Sequence, residues 1–115
     1  DVVCLHAPGG KQVLDTEAIE TMKHGALVIN AARGDLIDET ALYNALKTGR
    51  LGGAGLDVFA EEPPTGSPLL ALENVIVTPH MAGLTKEALI RMGEMAAENV
   101  LRVLRGEEPL VKITP

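Results

Sequence analysis

Apolar residues gather in four short runs, and between them apolar and polar positions recur at helical spacing. The runs are Val2–Ala7, Ala26–Ala32, Ala54–Phe59 and Val75–Thr78. Short apolar runs bounded by turn residues read as buried strands. ALVINAA is apolar on both alternating faces as far as Asn30, the pattern of a parallel strand covered by helices on both sides. Pro8-Gly9-Gly10 closes the first run. Asp15 is placed to N-cap a helix over DTEAIETMK, with Glu17 near its positive end and Ile19 and Met22 facing the sheet. His24 reads as a solvated helix-end residue, and Gly25 suits the left-handed position after a helix. Asp38 caps a second helix, ETALYNALKTG, with Ala41, Leu42, Ala45 and Leu46 as its core stripe and Gly49 as its stop. Gly52, Gly53 and Gly55 keep the entry to the third strand thin, and the acidic, proline-rich loop Ala60–Pro68 leads out of it. A long helix is predicted from Thr85 to about Arg105, ended by Gly106. Its stripe Leu89, Met92, Ala96, Val100 and Val103 reads as core packing, and Glu98 and Arg102 are spaced for a favourable ion pair.

Strands alternating with helices predict an α/β fold with a parallel sheet and right-handed crossovers. At 115 residues the chain is one domain or part of one. It is 46% hydrophobic but only 2% aromatic, so its core must be aliphatic. A formal net charge of −6 argues against nucleic acid or an anionic membrane as partner, since either favours a basic face. No signal-peptide pattern and no apolar run of bilayer-spanning length is read. The single cysteine, Cys4, excludes an internal disulfide and fits a reducing compartment, so a cytoplasmic protein is expected. Its place in an apolar run reads as a buried, inert thiol. Asp1, not Met, leads straight into the first strand, so the chain is expected to begin in mid-domain.

The chemistry lies at the strand ends. Pro79 has no N–H and cannot continue the ladder, so the fourth strand must stop and present His80 at its C-terminal end. In open α/β sheets that is where ligands bind. Ala82 and Gly83 would let a ligand approach the backbone closely. Arg33 follows the second strand and Glu62 the third, which puts all three residues on one rim of a parallel sheet. Arginine offers a planar fork of donors that grips a carboxylate and polarises a neighbouring carbonyl. Histidine gives or takes a proton near neutral pH. A carboxylate beside a histidine fixes its tautomer and favours its protonated form. Such a trio suits interconversion of a 2-hydroxy acid and a 2-oxo acid. Nothing in it accepts a hydride, so a cofactor is required. A solvated, charged rim with a surface salt bridge is the alternative reading of the same residue types. Asp57, in an apolar strand, is too costly to bury without a partner, which favours a functional role. His6 and Pro8 could equally form a strand-ending turn.

NAARGDLID, GAGLDVFAEEPP and NVIVTPHMAG, in this order and spacing, resemble the D-isomer-specific 2-hydroxyacid dehydrogenase family, which includes phosphoglycerate dehydrogenase, D-lactate dehydrogenase and glyoxylate/hydroxypyruvate reductases. The resemblance implies the second half of a Rossmann-like doubly wound parallel sheet, a fragment of a two-domain enzyme. Residues 1–84 would be the C-terminal half of the dinucleotide-binding domain, 85–105 the helix returning to the substrate domain, and 106–115 that domain's tail. It implies Arg33 as the substrate-binding arginine, His80 as the acid/base, and Glu62, directly before Pro63, as its carboxylate partner, with Glu61 one position off. It implies Asp57 near the nicotinamide, Ala31, Ala32 and Arg33 lining the cofactor, and His6, Ala7 and Pro8 near the adenosine side; His80, Ala82 and Gly83 would also meet the cofactor. The cofactor would be NAD or NADP; the Gly-rich phosphate loop and the acidic ribose-binding residue that would separate them are absent. A small 2-hydroxy or 2-oxo acid substrate, no metal and a homodimer are expected, and the 115 residues alone are expected to be inactive. A non-catalytic dinucleotide-binding regulator, like the family's corepressors, is the competing class. A formate dehydrogenase fits less well, because there the histidine's partner is typically a glutamine.

Overall fold

The computed structural model describes residues 1–112. It contains a four-stranded parallel sheet in the order β1-β2-β3-β4, with β1 at Val2–Leu5, β2 at Leu27–Asn30, β3 at Gly53–Leu56 and β4 at Val75–Val77. Helices α1 (Thr16–Thr21) and α2 (Glu39–Lys47) connect the first three strands, and α3 (Lys86–Leu104) follows the fourth. Single turns of 3-10 helix occur at Gly34–Leu36 and Pro68–Ala71. The chain divides into two compact units, Asp1–Ala82 with the sheet, α1 and α2, and a second from Gly83 that holds α3.

The caps follow from the sequence. The Asp15 carboxylate accepts from the Ala18 N–H at 2.8 Å, and that of Asp38 from Thr40 and Ala41, both at 3.0 Å. α1 is shorter than the segment DTEAIETMK predicts, because Met22 turns extended (φ −62°, ψ 155°). The chain then reaches Gly25 in the left-handed region (φ 76°), whose N–H donates to the Arg50 carbonyl at 2.9 Å. All four strands also stop earlier than their runs. The last paired row across the sheet is Leu5, Asn30, Leu56 and Val77. Asp57 therefore lies just past β3 and not inside it, which frees its side chain for the rim.

One face of the sheet carries the core. Val28, Leu56 and Leu5 are buried there with Ile19 of α1, Leu42 and Leu46 of α2, and Leu36, in a single cluster. Burying side chains of this size contributes roughly 1.5–3 kcal/mol each. Within the unit Asp1–Ala82 the double cover read from β2 is not present. Leu27 and Ile29, which alternate with the buried Val28 and Asn30, are exposed, and so are Val2 and Ile76 in their rows. Within the unit Asp1–Ala82, α1 and α2 thus both pack on one face. Cys4 shares the row of Ile29, Gly55 and Ile76 and is exposed, so the inert buried thiol is corrected as well.

The second unit holds α3. Thr85 caps α3, accepting from the Ala88 N–H at 3.1 Å. No residue of α3 is buried, and Leu89, Met92, Val100 and Val103 are all more than half exposed, so the predicted stripe is not core within this unit. Arg102 pairs with Glu107 at 3.6 Å and donates through Nε to the Glu108 carbonyl at 2.7 Å, instead of meeting Glu98. Asn99 accepts from the Leu110 N–H at 2.7 Å, which fastens the start of the tail to the helix. Residues 113–115 of the expected tail lie outside the described residues. No described helix is long and apolar enough to cross a membrane.

Candidate active site

Because every strand runs the same way, the segments after β1, β2, β3 and β4 all leave from one rim. They carry His6 to Pro8, Ala31 to Arg33, Asp57 to Glu62, and His80 to Ala82. Gly83 begins the second unit, and a Cβ there would meet nothing, so crowding does not require its glycine.

His80 and Glu62 are in direct contact: Nδ1 lies 2.8 Å from Oε2. Their side chains are 55% and 37% exposed, so this is a rim pair that a ligand can reach. The other oxygen of Glu62 accepts from the Phe59 N–H at 3.1 Å, which fixes the carboxylate against its own loop. The bond with His80, then that with Phe59, then the charge of His80 hold the Glu62 carboxyl below the usual range, against burial and the neighbouring charge of Asp57. An ionised carboxylate can only accept, so the shared hydrogen sits on Nδ1 and Nε2 is left for other chemistry. Glu61 makes no such contact.

His80 has a positive φ of 51°. For a residue with a side chain this backbone costs about 1–2 kcal/mol, and such strain persists only where the surroundings over-determine it. Here they do. The His80 N–H donates to the Asp57 carbonyl at 2.9 Å. The Asp57 carboxylate, only 6% exposed, takes Met81 N–H on Oδ1 and Ala82 N–H on Oδ2, each at 2.8 Å, together with the Thr78 hydroxyl on Oδ1. Burial raises the Asp57 pKa, but these bonds from Thr78, Ala82 and Met81, with the charge of His80, outweigh it and leave the group below the ordinary carboxylate range. The cost foreseen for an aspartate in apolar surroundings is met by the backbone that carries His80.

Arg33 makes no hydrogen bond or ion pair with His80 or Glu62. Its Nη1 donates to the Ala32 carbonyl at 2.6 Å, and among the described residues no carboxylate pairs with it. An exposed guanidinium of this kind is available to an anion. Its neighbour Gly34 is pressed on the loop after β3: a Cβ there would fall 1.9 Å from the Phe59 carbonyl carbon. Only glycine fits, and the close approach ties the Arg33 turn to the loop that holds Glu62. Glu39 accepts from the Ala60 N–H at 2.7 Å and steadies the same loop. Asn30, 1% exposed, binds the backbone of Ala32 and Arg33. Sequence reading missed Gly34, Glu39 and Asn30 as parts of the site. A polar Asn ending an otherwise apolar run was the one available signal.

A cleft of about 390 Å³ adjoins the pair, walled by Phe59, Pro63, Pro64 and Leu70 with Glu62 and His80. Its size suits a small ligand or one end of a larger one. The residues proposed to meet a cofactor offer room for one. His6, Pro8 and Ala31 are exposed, Ala7 and Ala32 are half-buried, and none is bulky apart from His6. No cluster of three or more His, Cys, Asp or Glu side chains among the described residues is arranged to hold a metal ion.

Residues 1–82 match the family model described as D-isomer specific 2-hydroxyacid dehydrogenase, NAD binding domain. The chain is 49% identical over 110 residues to D-3-phosphoglycerate dehydrogenase of Methanocaldococcus jannaschii, covering 93% of this chain and 21% of that protein. It is 44% identical over 126 residues to glyoxylate reductase of Korarchaeum cryptofilum, covering 100% of this chain and 38% of the relative. The crystal structure of D-lactate dehydrogenase with NAD+ from Lactobacillus jensenii superposes with a TM-score of 0.87 at 32% identity, over 100% of this chain and 40% of that one. The chain thus spans between a fifth and two fifths of the length of these relatives. With its parallel sheet and strand-end segments, the chain belongs to the D-isomer specific 2-hydroxyacid dehydrogenase family, its residues 1–82 matching that family's NAD binding domain.

Proposed function

We propose that this chain is the second half of the dinucleotide-binding domain of an enzyme that interconverts a D-2-hydroxy acid and a 2-oxo acid, with NAD or NADP as cofactor. On this reading residues 85–105 lead back to a substrate domain and 106–115 belong to it. The observation that carries the proposal is the His80–Glu62 contact at 2.8 Å on the ligand-binding rim, which leaves Nε2 free beside a cleft.

The cofactor supplies or accepts the hydride, and the chain's own residues manage the rest. Arg33 grips the substrate carboxylate with its fork and draws electron density from the adjacent carbonyl. In reduction, His80 begins protonated and gives the Nε2 proton to the oxygen that becomes the hydroxyl. Its Nδ1–H stays on Glu62 throughout, so the ring cannot turn and the departing proton leaves a neutral imidazole of the correct tautomer. In oxidation, neutral Nε2 takes the hydroxyl proton, and Glu62⁻ stabilises the imidazolium that forms. Ala31 and Ala32, with Arg33, would line the cofactor, with Asp57 close to the nicotinamide. His6, Ala7 and Pro8 would line its adenosine side, and Ala82 and Gly83 would admit the ring beside His80.

The test uses the full-length protein that carries this segment. It is supplied with NADH or NADPH and, in turn, glyoxylate, pyruvate and 3-phosphohydroxypyruvate, and loss of the reduced cofactor's absorbance is followed. Turnover with at least one oxo acid, giving the D-hydroxy acid, is expected. Binding of the cofactor with no turnover of any oxo acid would favour a regulator and defeat the enzymatic reading.

A further inference from the structure

Asn30 is a polar side chain where the core has no use for one. It ends β2 on the buried face, in the row of Leu5 and Leu56, and is 1% exposed. A Leu or Val would bury there without the cost of desolvating an amide. Both ends of the amide are spent on the next turn of chain. Nδ2 donates to the Arg33 carbonyl at 2.9 Å, and Oδ1 accepts from the Ala32 N–H at 3.1 Å. Its backbone carbonyl accepts from the Asp57 N–H at 2.9 Å, so the residue is fixed from the neighbouring strand as well. The amide closes a ring over Ala31 to Arg33 and sets the direction in which the chain leaves the sheet.

The flanks of that turn are held differently. Gly34 is pressed on Phe59, and the stem of Arg33 runs past Gly9, where a Cβ would lie 3.2 Å from its Cγ. The Gly10 N–H donates to Asp35. These contacts confine the turn from the sides, while Asn30 holds it from beneath. A two-pronged grip on a carboxylate tolerates errors of only about 0.5 Å, so the backbone that launches the guanidinium must be fixed to that degree.

We infer that Asn30 is a positioning residue for the reaction proposed above: it aims Arg33 at the substrate carboxylate while itself buried beyond the reach of substrate and cofactor. The inference rests on that reading of Arg33.

Two variants of the full-length protein test it, Asn30→Leu and Asn30→Asp, each alone and combined with Arg33→Lys. Asn30→Leu should lower kcat/KM for the oxo acid roughly 10²-fold, the usual cost of misplacing a binding group by about 1 Å. In the Arg33→Lys background the same change should cost no more than about twofold, because the group being aimed is already gone. Asn30→Asp keeps the shape and the acceptor for Ala32, but sets a carboxylate oxygen against the Arg33 carbonyl. Protonating that carboxyl restores a donor, so its activity relative to wild type should recover as pH falls. Equal losses in both backgrounds would overturn the inference while leaving the dehydrogenase reading intact. So would a pH-independent ratio for Asn30→Asp, or loss of folded protein in both variants, which would give Asn30 to the fold alone. No turnover by the wild type would remove the reading itself, and the inference with it.

Discussion

Replacing Asp57 by Asn asks what holds His80 in its strained backbone. The carboxylate accepts three bonds and needs to donate none. An amide of the same shape has one oxygen and one NH₂. With the oxygen in the Oδ1 position, Thr78 and Met81 keep their acceptor and the Ala82 N–H faces another donor. Flipped, the amide serves Ala82 and strands Met81, while the Thr78 hydroxyl can turn and accept instead. Either way one backbone N–H is orphaned, at about 1–3 kcal/mol, and the surviving bonds lose their charge assistance. The segment from Thr78 to Ala82 should therefore open more easily by ~2–4 kcal/mol. At 1.4 kcal/mol per factor of ten, amide exchange at Met81 and Ala82 should speed up by roughly 30- to 10³-fold. Hydrogen exchange on the full-length protein, read on the peptide that spans these residues, measures this directly. The pH dependence has a definite sign. The folded-state pKa of Asp57 is depressed, so its contribution is fully present above the ordinary carboxylate value of about 4 and is lost as pH falls through the lowered one. Protection at Met81 and Ala82 that is unchanged in Asp57→Asn would refute the claim that this carboxylate holds the His80 segment.

Two further outcomes are expected of the full-length protein. Glu62→Gln keeps the shape beside Nδ1 but removes the negative charge that a protonated ring would face at 2.8 Å, so the pH–rate profile of oxo-acid reduction should move towards lower pH. Coincident pH–rate profiles for wild type and variant, at matched cofactor saturation, would mean that the pair does not tune the proton donor. Arg33→Lys keeps a charge but loses the fork, so kcat/KM should fall roughly 10²-fold or more with cofactor affinity almost unchanged; a titration of cofactor binding beside steady-state kinetics checks the split.

The sheet was legible because its signals are local and repeated. Each apolar run, each Asp cap and the proline after Thr78 states its meaning within a few residues, and the parallel order follows from the alternation of elements. The failures are of one kind. Apolarity on both faces of β2 reports that a face is meant to be covered, without saying by which residues, so Leu27, Ile29 and Cys4 read as buried although they are exposed. The same holds for the stripe on α3. Strand ends were overestimated because an apolar run does not reveal where side chains take over from the ladder.

The rim divides along the same line. The contact between His80 and Glu62 could be anticipated, since each residue carries its chemistry in its type. The framework around them could not, because it is written in backbone atoms. Asn30 binds Ala32 and Arg33, Asp57 binds Met81 and Ala82, Glu39 binds Ala60, and Gly34 is required by the Phe59 carbonyl carbon. In each case the partner group is a peptide unit that every residue possesses, so no pairing of residue types announces it. What the sequence does carry is a misfit: a polar or minimal side chain at a position where periodicity asks for a large apolar one. Asn30 and Asp57 are the two polar residues buried among the described positions; Asn30 ends β2, Asp57 lies one residue past β3, and each binds the backbone of a segment bearing a rim residue. In a parallel sheet, a lone amide or carboxylate buried at the end of a strand is therefore better read as the anchor of a rim segment, its own strand's or its neighbour's, than as a ligand-binding group in its own right.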